Sequence, residues 1–320
     1  MKILVTGSSG HLGEALVRTL RDAQREVVGV DIVASPFTDR VGSIADRDFV
    51  RACMVEGVEA VLHAATLHKP HVATHPRQAF VDVNITGTLN LLEEAVARRV
   101  GAFVFTSTTS AFGDALSPPP GAPAAWITED VASIPKNIYG ATKTAAEDVC
   151  QLFHRNHGLA CLVLRTSRFF PEDDDDDARR STYLDANLKA NEFLYRRVEL
   201  EDVVGAHLQA LARAPALGFG KFIISATTPF TPADLVELRH DAAAVLKRRV
   251  PDAEAIYAAC GWKLPTEIDR VYVNARARTL LGWEPRHDFV RVLRSVKAGE
   301  DFRSPLARLV GAKGYHPELA

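Results

Sequence analysis

A doubly wound α/β fold, with a parallel sheet and a smaller C-terminal substrate-binding part, is predicted by three observations. Apolar runs recur at residues 3–5, 27–30, 60–64, 102–105 and 160–164 with little polar alternation, as strands buried on both faces require. Helix-period stretches separate them, at 14–20, 81–98 and 139–154, and this βαβ rhythm is that of a parallel sheet with helices on both sides. The first run opens into a glycine-rich turn, Gly7-Ser8-Ser9-Gly10-His11-Leu12-Gly13.

That turn, between a strand and the helix carrying Leu16, Val17 and Leu20 on one face, is a phosphate cradle. Glycine lets the backbone approach an anion, and the helix start offers free N–H groups and a positive dipole. The spacing Gly7-x-x-Gly10-x-x-Gly13 departs from the usual G-x-G-x-x-G. The second strand, 27–31, ends in Asp31, close to the ~20-residue offset at which an acid takes a dinucleotide ribose. Together they imply a bound dinucleotide.

The remaining elements follow in order. Residues 60–64 read as the third strand, 81–98 as a long helix with Leu89, Leu91, Leu92 and Val96, and 102–106 as a strand. Pro118 to Pro123 is too proline-dense for helix or inner strand. The acidic run 172–177 is expected to be solvated. Residues 198–211 are expected to lead a strand into a helix, and 221–225 to add a last sheet strand. The predicted division is a dinucleotide-binding domain over 1–167, with 201–225 returning to it, and a substrate domain from 168–200 and 226–320.

Bulk properties exclude more than they assign. The 320 residues carry net charge −2 and 47% hydrophobic content, ordinary for a globular chain. No long basic stretch points to nucleic acid, no run reaches membrane-spanning length, and the chain starts directly in a strand. A cytoplasmic location is expected. The four cysteines, Cys53, Cys150, Cys161 and Cys260, are scattered and read as reduced thiols.

Chemistry is carried by Tyr139 and Lys143, one helical turn apart and so on one face. A neighbouring ammonium is expected to lower the phenol's pKa, making it usable as an acid or base. The hydroxyl cluster Thr106 to Ser110 lies at the C-terminal end of a parallel strand, where open sheets place ligands.

These residues resemble an extended short-chain dehydrogenase/reductase of the NAD-dependent epimerase/dehydratase type. The resemblance runs from Lys2 to about Arg291. It rests on the glycine turn, Asp31, Leu62-His63-Ala64-Ala65, Asn84, Phe105 to Thr108, Tyr139-x-x-x-Lys143, Leu164-Arg165, Glu201-Asp202-Val203 and Leu281-Gly282-Trp283. It implies a Rossmann sheet, NAD as cofactor, a small-molecule substrate and a homodimer paired through helices 81–98 and 139–154.

It also implies roles. Gly7, Gly10, His11, Leu12 and Gly13 would hold the pyrophosphate, Asp31 the adenosine ribose, and Ser43 and Ile44 would flank adenine. Ala64, Ala65 and Asn84 would line the cofactor's path, and Lys143 would bind the nicotinamide ribose. Thr108 and Tyr139 would be the catalytic hydroxyl and the general acid/base. Thr109, Arg168 and His68 are the expected substrate contacts.

The departures limit the function. Where the family has Leu-Arg-x-x-Asn-x-Tyr-Gly-Pro, this chain has Leu164 to Pro171 with Arg168 for the asparagine and one glycine missing. Thr109 and Ser110 stand where dehydratases carry Asp-Glu, which argues against elimination of water. Hydride transfer at a hydroxyl or keto carbon of a sugar-like substrate, anionic or not, is the leading expectation. A nucleotide-sugar 4-epimerase and a non-catalytic dinucleotide sensor are the alternatives. No metal is expected, because Pro70 and Pro76 break the helix that would align His71 and His75. Arg179, Arg180, Arg196 and Arg197 could bind an anionic substrate, but six acids lie immediately before the first pair, so local neutralisation competes with anion binding.

Overall fold

The computed structural model describes residues 1–174 and 176–314. Asp175 of the acidic run and positions 315–320 of the expected substrate domain lie outside the described residues. Seven strands form the main sheet: β1 (Lys2–Thr6), β2 (Glu26–Asp31), β3 (Arg40–Val41), β4 (Val58–His63), β5 (Ala102–Thr108), β7 (Cys161–Thr166) and β8 (Phe219–Ile224). Their order is β3-β2-β1-β4-β5-β7-β8 and every pairing is parallel. The doubly wound sheet is therefore present as expected. All six residues of β7 are buried, as its unbroken apolar pattern requires. The edge pair at β3 was not legible, since its two exposed residues carry no pattern.

Helices α1 (His11–Asp22) and α8 (Leu200–Leu217) cover one face. Their Leu12, Leu16, Val203 and Ala210 pack on Ile3, Val5, Leu62 and Val104. On the other face lie α2 (Arg47–Cys53), α4 (Gly87–Ala97) and α5 (Ile138–His157), with Val50, Leu91, Leu92, Cys150 and Phe153 against Leu4, Val61, Phe103 and Val163. The helix expected over 81–98 begins earlier, with α3 (Arg77–Phe80), and widens into a π-turn at Val81–Thr86 before α4. Thr88 donates its hydroxyl to the Asn84 carbonyl at 2.7 Å, competing with the helical N–H at that oxygen. The strand expected before α8 is absent among the described residues; Arg197 makes only an isolated bridge to Arg168.

A further apolar cluster joins Phe193, Leu194, Phe230, Leu246, Tyr257, Val271 and Phe289. Two segments cross between it and the main sheet. Ala124 belongs to this cluster, and β6 (Ala125–Ile127) pairs in parallel with β9 (Arg270–Tyr272). Conversely, Ala277, Leu281, Trp283 and Val310 pack under the main sheet. The Asp202 carboxylate accepts the backbone N–H groups of Arg286 and His287, at 2.8 and 2.9 Å, and its carbonyl accepts the Trp283 indole at 2.9 Å. The two sequence motifs around Asp202 and Trp283 thus form one architectural joint. Among the described residues no helix is long and apolar enough to cross a membrane.

Candidate active site

A cleft runs along the C-terminal ends of β1, β4 and β5. It consists of two cavities of about 570 and 780 Å³ that share Gly7, Gly10, His11, Ala64, Thr66, His68 and Phe170. The smaller one carries Asp31, Ser43, Ile44 and Ala65; the larger carries Leu12, Gly13, Thr108, Thr109, Tyr139 and Arg168.

Backbone sterics shape the neck between them. Gly7 has φ +73°, and a Cβ there would lie 2.8 Å from the Ala65 nitrogen; only glycine accepts this without strain. A Cβ on Gly13 would come within 1.8 Å of the Gly7 carbonyl oxygen, so the helix rests on the turn. At Gly10 a Cβ would meet only the Gly7 oxygen, at 3.3 Å, and otherwise faces the neck. The Asp31 carboxylate receives the N–H groups of Ser9 and Val33, both at 3.0 Å, which fixes it in the smaller cavity. An open glycine, a helix start and an oriented carboxylate in one continuous cleft fit an adenine dinucleotide with its diphosphate at the neck.

In the larger cavity, Thr108 ends β5 and Tyr139 stands in the first turn of α5. That turn is set by Asn137, whose side chain accepts the Gly140 N–H at 3.0 Å, a standard N-cap. Burial pushes the Tyr139 phenol up to about 12, against the hydrogen bond from Thr108 that lowers it. The Thr108 hydroxyl also accepts the Ser110 N–H at 3.1 Å.

Lys143 lies beneath this surface. Its side chain is 1% exposed and does not line the cleft; the ammonium lies 4.1 Å from the Phe105 ring centroid. Burial pulls it down to about 7. Desolvation penalises the charged form, so the expected ammonium-driven lowering of the phenol does not prevail in this geometry. Asn84 is also absent from the cavity lining. Its carboxamide accepts from Thr66 and Leu67 (2.8 and 2.9 Å) and donates to Thr142 at 3.0 Å, tying the 66–67 loop to α5.

His68 does reach the cleft, with its ring 5.4 Å from Phe170 and 6.3 Å from Tyr139. Burial, with His71 and Lys143 nearby, holds it down at about 3, so it is a neutral contact. His71 Nδ1 accepts the His68 N–H at 2.9 Å. Among the described residues no group of three or more His, Cys, Asp or Glu is arranged for a metal.

Asp173, Asp176 and Asp177 of the acidic run are exposed, as expected of a solvated stretch, whereas Glu172 and Asp174 turn inward. Asp174 is 5% exposed and faces Arg168 at 3.4 Å and Arg196 at 2.8 Å, while Arg180 bonds the Asp174 carbonyl. Glu172 pairs with His11 at 2.8 Å. Burial would raise Glu172, but the hydrogen bonds from His11 and the Lys313 N–H bring it down to about 2. Buried carboxylates persist when partnered, and the neighbouring arginines supply the partners. Residues the sequence did not single out are Phe170, Arg270, Tyr272 and Lys313 on the cavity walls. Phe170 had a signal, standing at the tyrosine of the family's substrate-loop motif; the other three had none.

Glycine turn, ribose acid and buried phenol along one parallel-sheet cleft define a nicotinamide-dinucleotide-binding protein. Residues 3–216 match the profile of the NAD dependent epimerase/dehydratase family, and the chain belongs to it; the cofactor is NAD. It is 32% identical, over 53% of its length, to a dTDP-glucose 4,6-dehydratase from Streptomyces niveus, covering 55% of that protein. A UDP-glucose 4-epimerase from Lactobacillus helveticus is 23% identical over 91% of this chain and 94% of its own. A short-chain dehydrogenase/reductase superfamily protein from Agrobacterium tumefaciens, solved with bound NAD, superposes with TM-score 0.66 at 25% identity, covering 93% of this chain and 96% of that one. Against the Bacillus subtilis and Streptomyces relatives the chain spans about half of their length.

Proposed function

We propose that this chain catalyses NAD-dependent hydride transfer at a hydroxyl- or keto-bearing carbon of a sugar-like substrate, with Thr108 and Tyr139 at the reacting oxygen. The observation that carries this reading is that Thr108 and Tyr139 line the same larger cavity, one neck away from the ribose acid Asp31. NAD, when bound, accepts or returns the hydride. Gly7, Gly10 and Gly13 admit its diphosphate, and Asp31 holds its adenosine ribose. Tyr139 as phenolate takes the substrate's hydroxyl proton during oxidation, and as phenol it donates that proton during reduction, while Thr108 steadies the same oxygen. A phenol near 12 is protonated at neutral pH, which suits proton donation and carbonyl reduction. Lys143 supports this face of α5 from below rather than reaching the cleft.

Thr109 and Ser110 offer hydroxyls where dehydration needs an acid and a base, so elimination of water is disfavoured. Net redox chemistry is the first reading. The second, 4-epimerisation of a nucleotide sugar, is favoured by the epimerase relatives. Arg168 and His68 line the substrate cavity. An anionic substrate gains Arg168 by competing with carboxylates that already face it, Asp174 at 3.4 Å and Glu192 at 4.0 Å. A NADH-absorbance screen over sugars, sugar acids and aldehydes tests the redox reading, with NMR of products from UDP- and dTDP-hexoses in parallel. Rapid 4-epimerisation, or a 4-keto-6-deoxy product, would overturn it. A dinucleotide sensor would bind NAD and turn over none of them.

We further propose a cytoplasmic homodimer with a helical interface from α4 and α5, where Leu152 is exposed. The buried, unpaired Cys53, Cys150 and Cys161 suit a reducing compartment. Light scattering giving a single 34.9 kDa species at micromolar concentration would exclude the dimer.

A further inference from the structure

The diphosphate of a dinucleotide brings a pair of negative charges into the neck, and the glycine turn supplies only N–H groups and a helix dipole. Around the smaller cavity the described lining contains the carboxylate of Asp31 and one ammonium, that of Lys313. This lysine comes from the far end of the chain, and the structure places it deliberately. The helix Pro305–Val310 is capped by Ser304, which accepts the Ala307 N–H at 3.0 Å. Ser304 is itself held by the buried Glu199, through its N–H at 3.0 Å and its hydroxyl at 2.7 Å. Val310 packs into the cluster beneath α1. Beyond Gly311 (φ +66°) the chain turns towards the cleft. There the N–H groups of Lys313 and Gly314 donate to Glu172 at 2.9 and 3.2 Å. The same carboxylate oxygen pairs with His11, a residue of the neck. The Lys313 side chain is 20% exposed, and its ammonium is bonded to Glu14, in the first turn of α1.

We propose that residues 311–314 are a strap that delivers Lys313 to the dinucleotide diphosphate, making it a cofactor-binding residue. The ammonium stands at the first turn of the helix whose start faces the neck, within reach of an exchange from Glu14 to a phosphate oxygen. Such a contact is charge-assisted and therefore stronger than the neutral N–H contacts of the turn. Glu172 fixes the strap's backbone, so the lysine arrives pre-positioned and little conformational entropy is lost on binding. The inference rests on the dinucleotide reading of the cleft and adds the residue that neutralises its charge.

Calorimetry of ADP-ribose and adenosine binding separates the contributions. Lys313→Met is expected to weaken ADP-ribose about tenfold, the loss of one charge-assisted hydrogen bond. Adenosine, which lacks phosphate, should bind both forms equally. Lys313→Arg should restore most of the ADP-ribose affinity, and raised salt should shrink the difference. Equal ADP-ribose binding by the unmodified and Met forms would overturn the proposal, as would an equal loss for adenosine. Failure of the unmodified protein to bind ADP-ribose at all would overturn the dinucleotide reading together with it. Thermal unfolding of each variant identifies a folding defect, and in that event Glu172→Gln, which weakens the strap's anchor and leaves the lysine in place, gives the same two-ligand comparison.

Discussion

The two cavities of the cleft are built by different physics. The dinucleotide side is held by backbone constraints: a left-handed Gly7, a Gly13 that leaves no room for a Cβ, and N–H groups aimed at Asp31. The substrate side is held by side-chain charge, with Asp174 between Arg168 and Arg196, and Glu192 against Arg196 and Arg197. Backbone constraints tolerate few sequences, whereas an ion-pair network can be rewired one charge at a time. The difference teaches where a new substrate specificity could arise in this chain without disturbing its cofactor.

The strongest test is at the junction of the two sides. Tyr139→Phe should fold and bind NAD while turnover falls by at least ~10²-fold, as loss of a general acid/base predicts. Equal steady-state turnover would remove the phenol from the chemistry.

The substrate side should respond next. Asp174→Asn removes one of the carboxylates shared by Arg168 and Arg196, leaving Glu192, and should cost about 2 kcal/mol of stability in a denaturant titration. The same variant should lower KM for an anionic substrate, because Arg168 loses one of its internal competitors. A raised KM would show that Asp174 positions the arginine instead of restraining it.

On the cofactor side, Asp31→Ala should narrow the preference for NAD over NADP by roughly tenfold in calorimetry. A carboxylate accepts ribose hydroxyls and repels a 2′-phosphate. Tighter binding of NADP to the unmodified protein would sink this reading of the cavity.

The smallest effect concerns Lys143. Its folded pKa of about 7 lies below the ordinary lysine value, so between about pH 7 and 10 the unfolded chain binds the extra proton. Stability from this group therefore rises with pH across that window. Lys143→Met should flatten the rise, seen as a smaller pH dependence of the unfolding midpoint. An unchanged slope would mean that Lys143 stays charged on Phe105.

The legibility of the two sides differs for the same reason. Parallel strands announce themselves by unbroken apolar runs, and Gly7, Gly10, Gly13 and Asp31 each have one physical use at their spacing. The depth of Lys143 was not legible, because sequence fixes the face of a helix but not how far a side chain is buried: i, i+4 spacing puts it on the face of Tyr139, and burial then lowers its pKa. Asn84 faced α5 and the 66–67 loop instead of the cleft because a π-turn re-aims it. Within the acidic run Asp174 escaped the reading, because a carboxylate looks solvated until the arginines that fold back on it are seen. Lys313 had no signal, being distant in sequence from everything it touches.

The joint between Asp202 and the segment from Trp283 to His287 bears on how the chain is made. The matched family region ends at 216, yet the Asp202 carboxylate is 4% exposed and its donors lie about eighty positions later. A nascent chain that has completed all seven sheet strands still holds a carboxylate without those partners, which opposes burial of that end of α8. The 270–287 stretch, which also brings β9 to β6, thus supplies the partners that make burial of this end of α8 favourable.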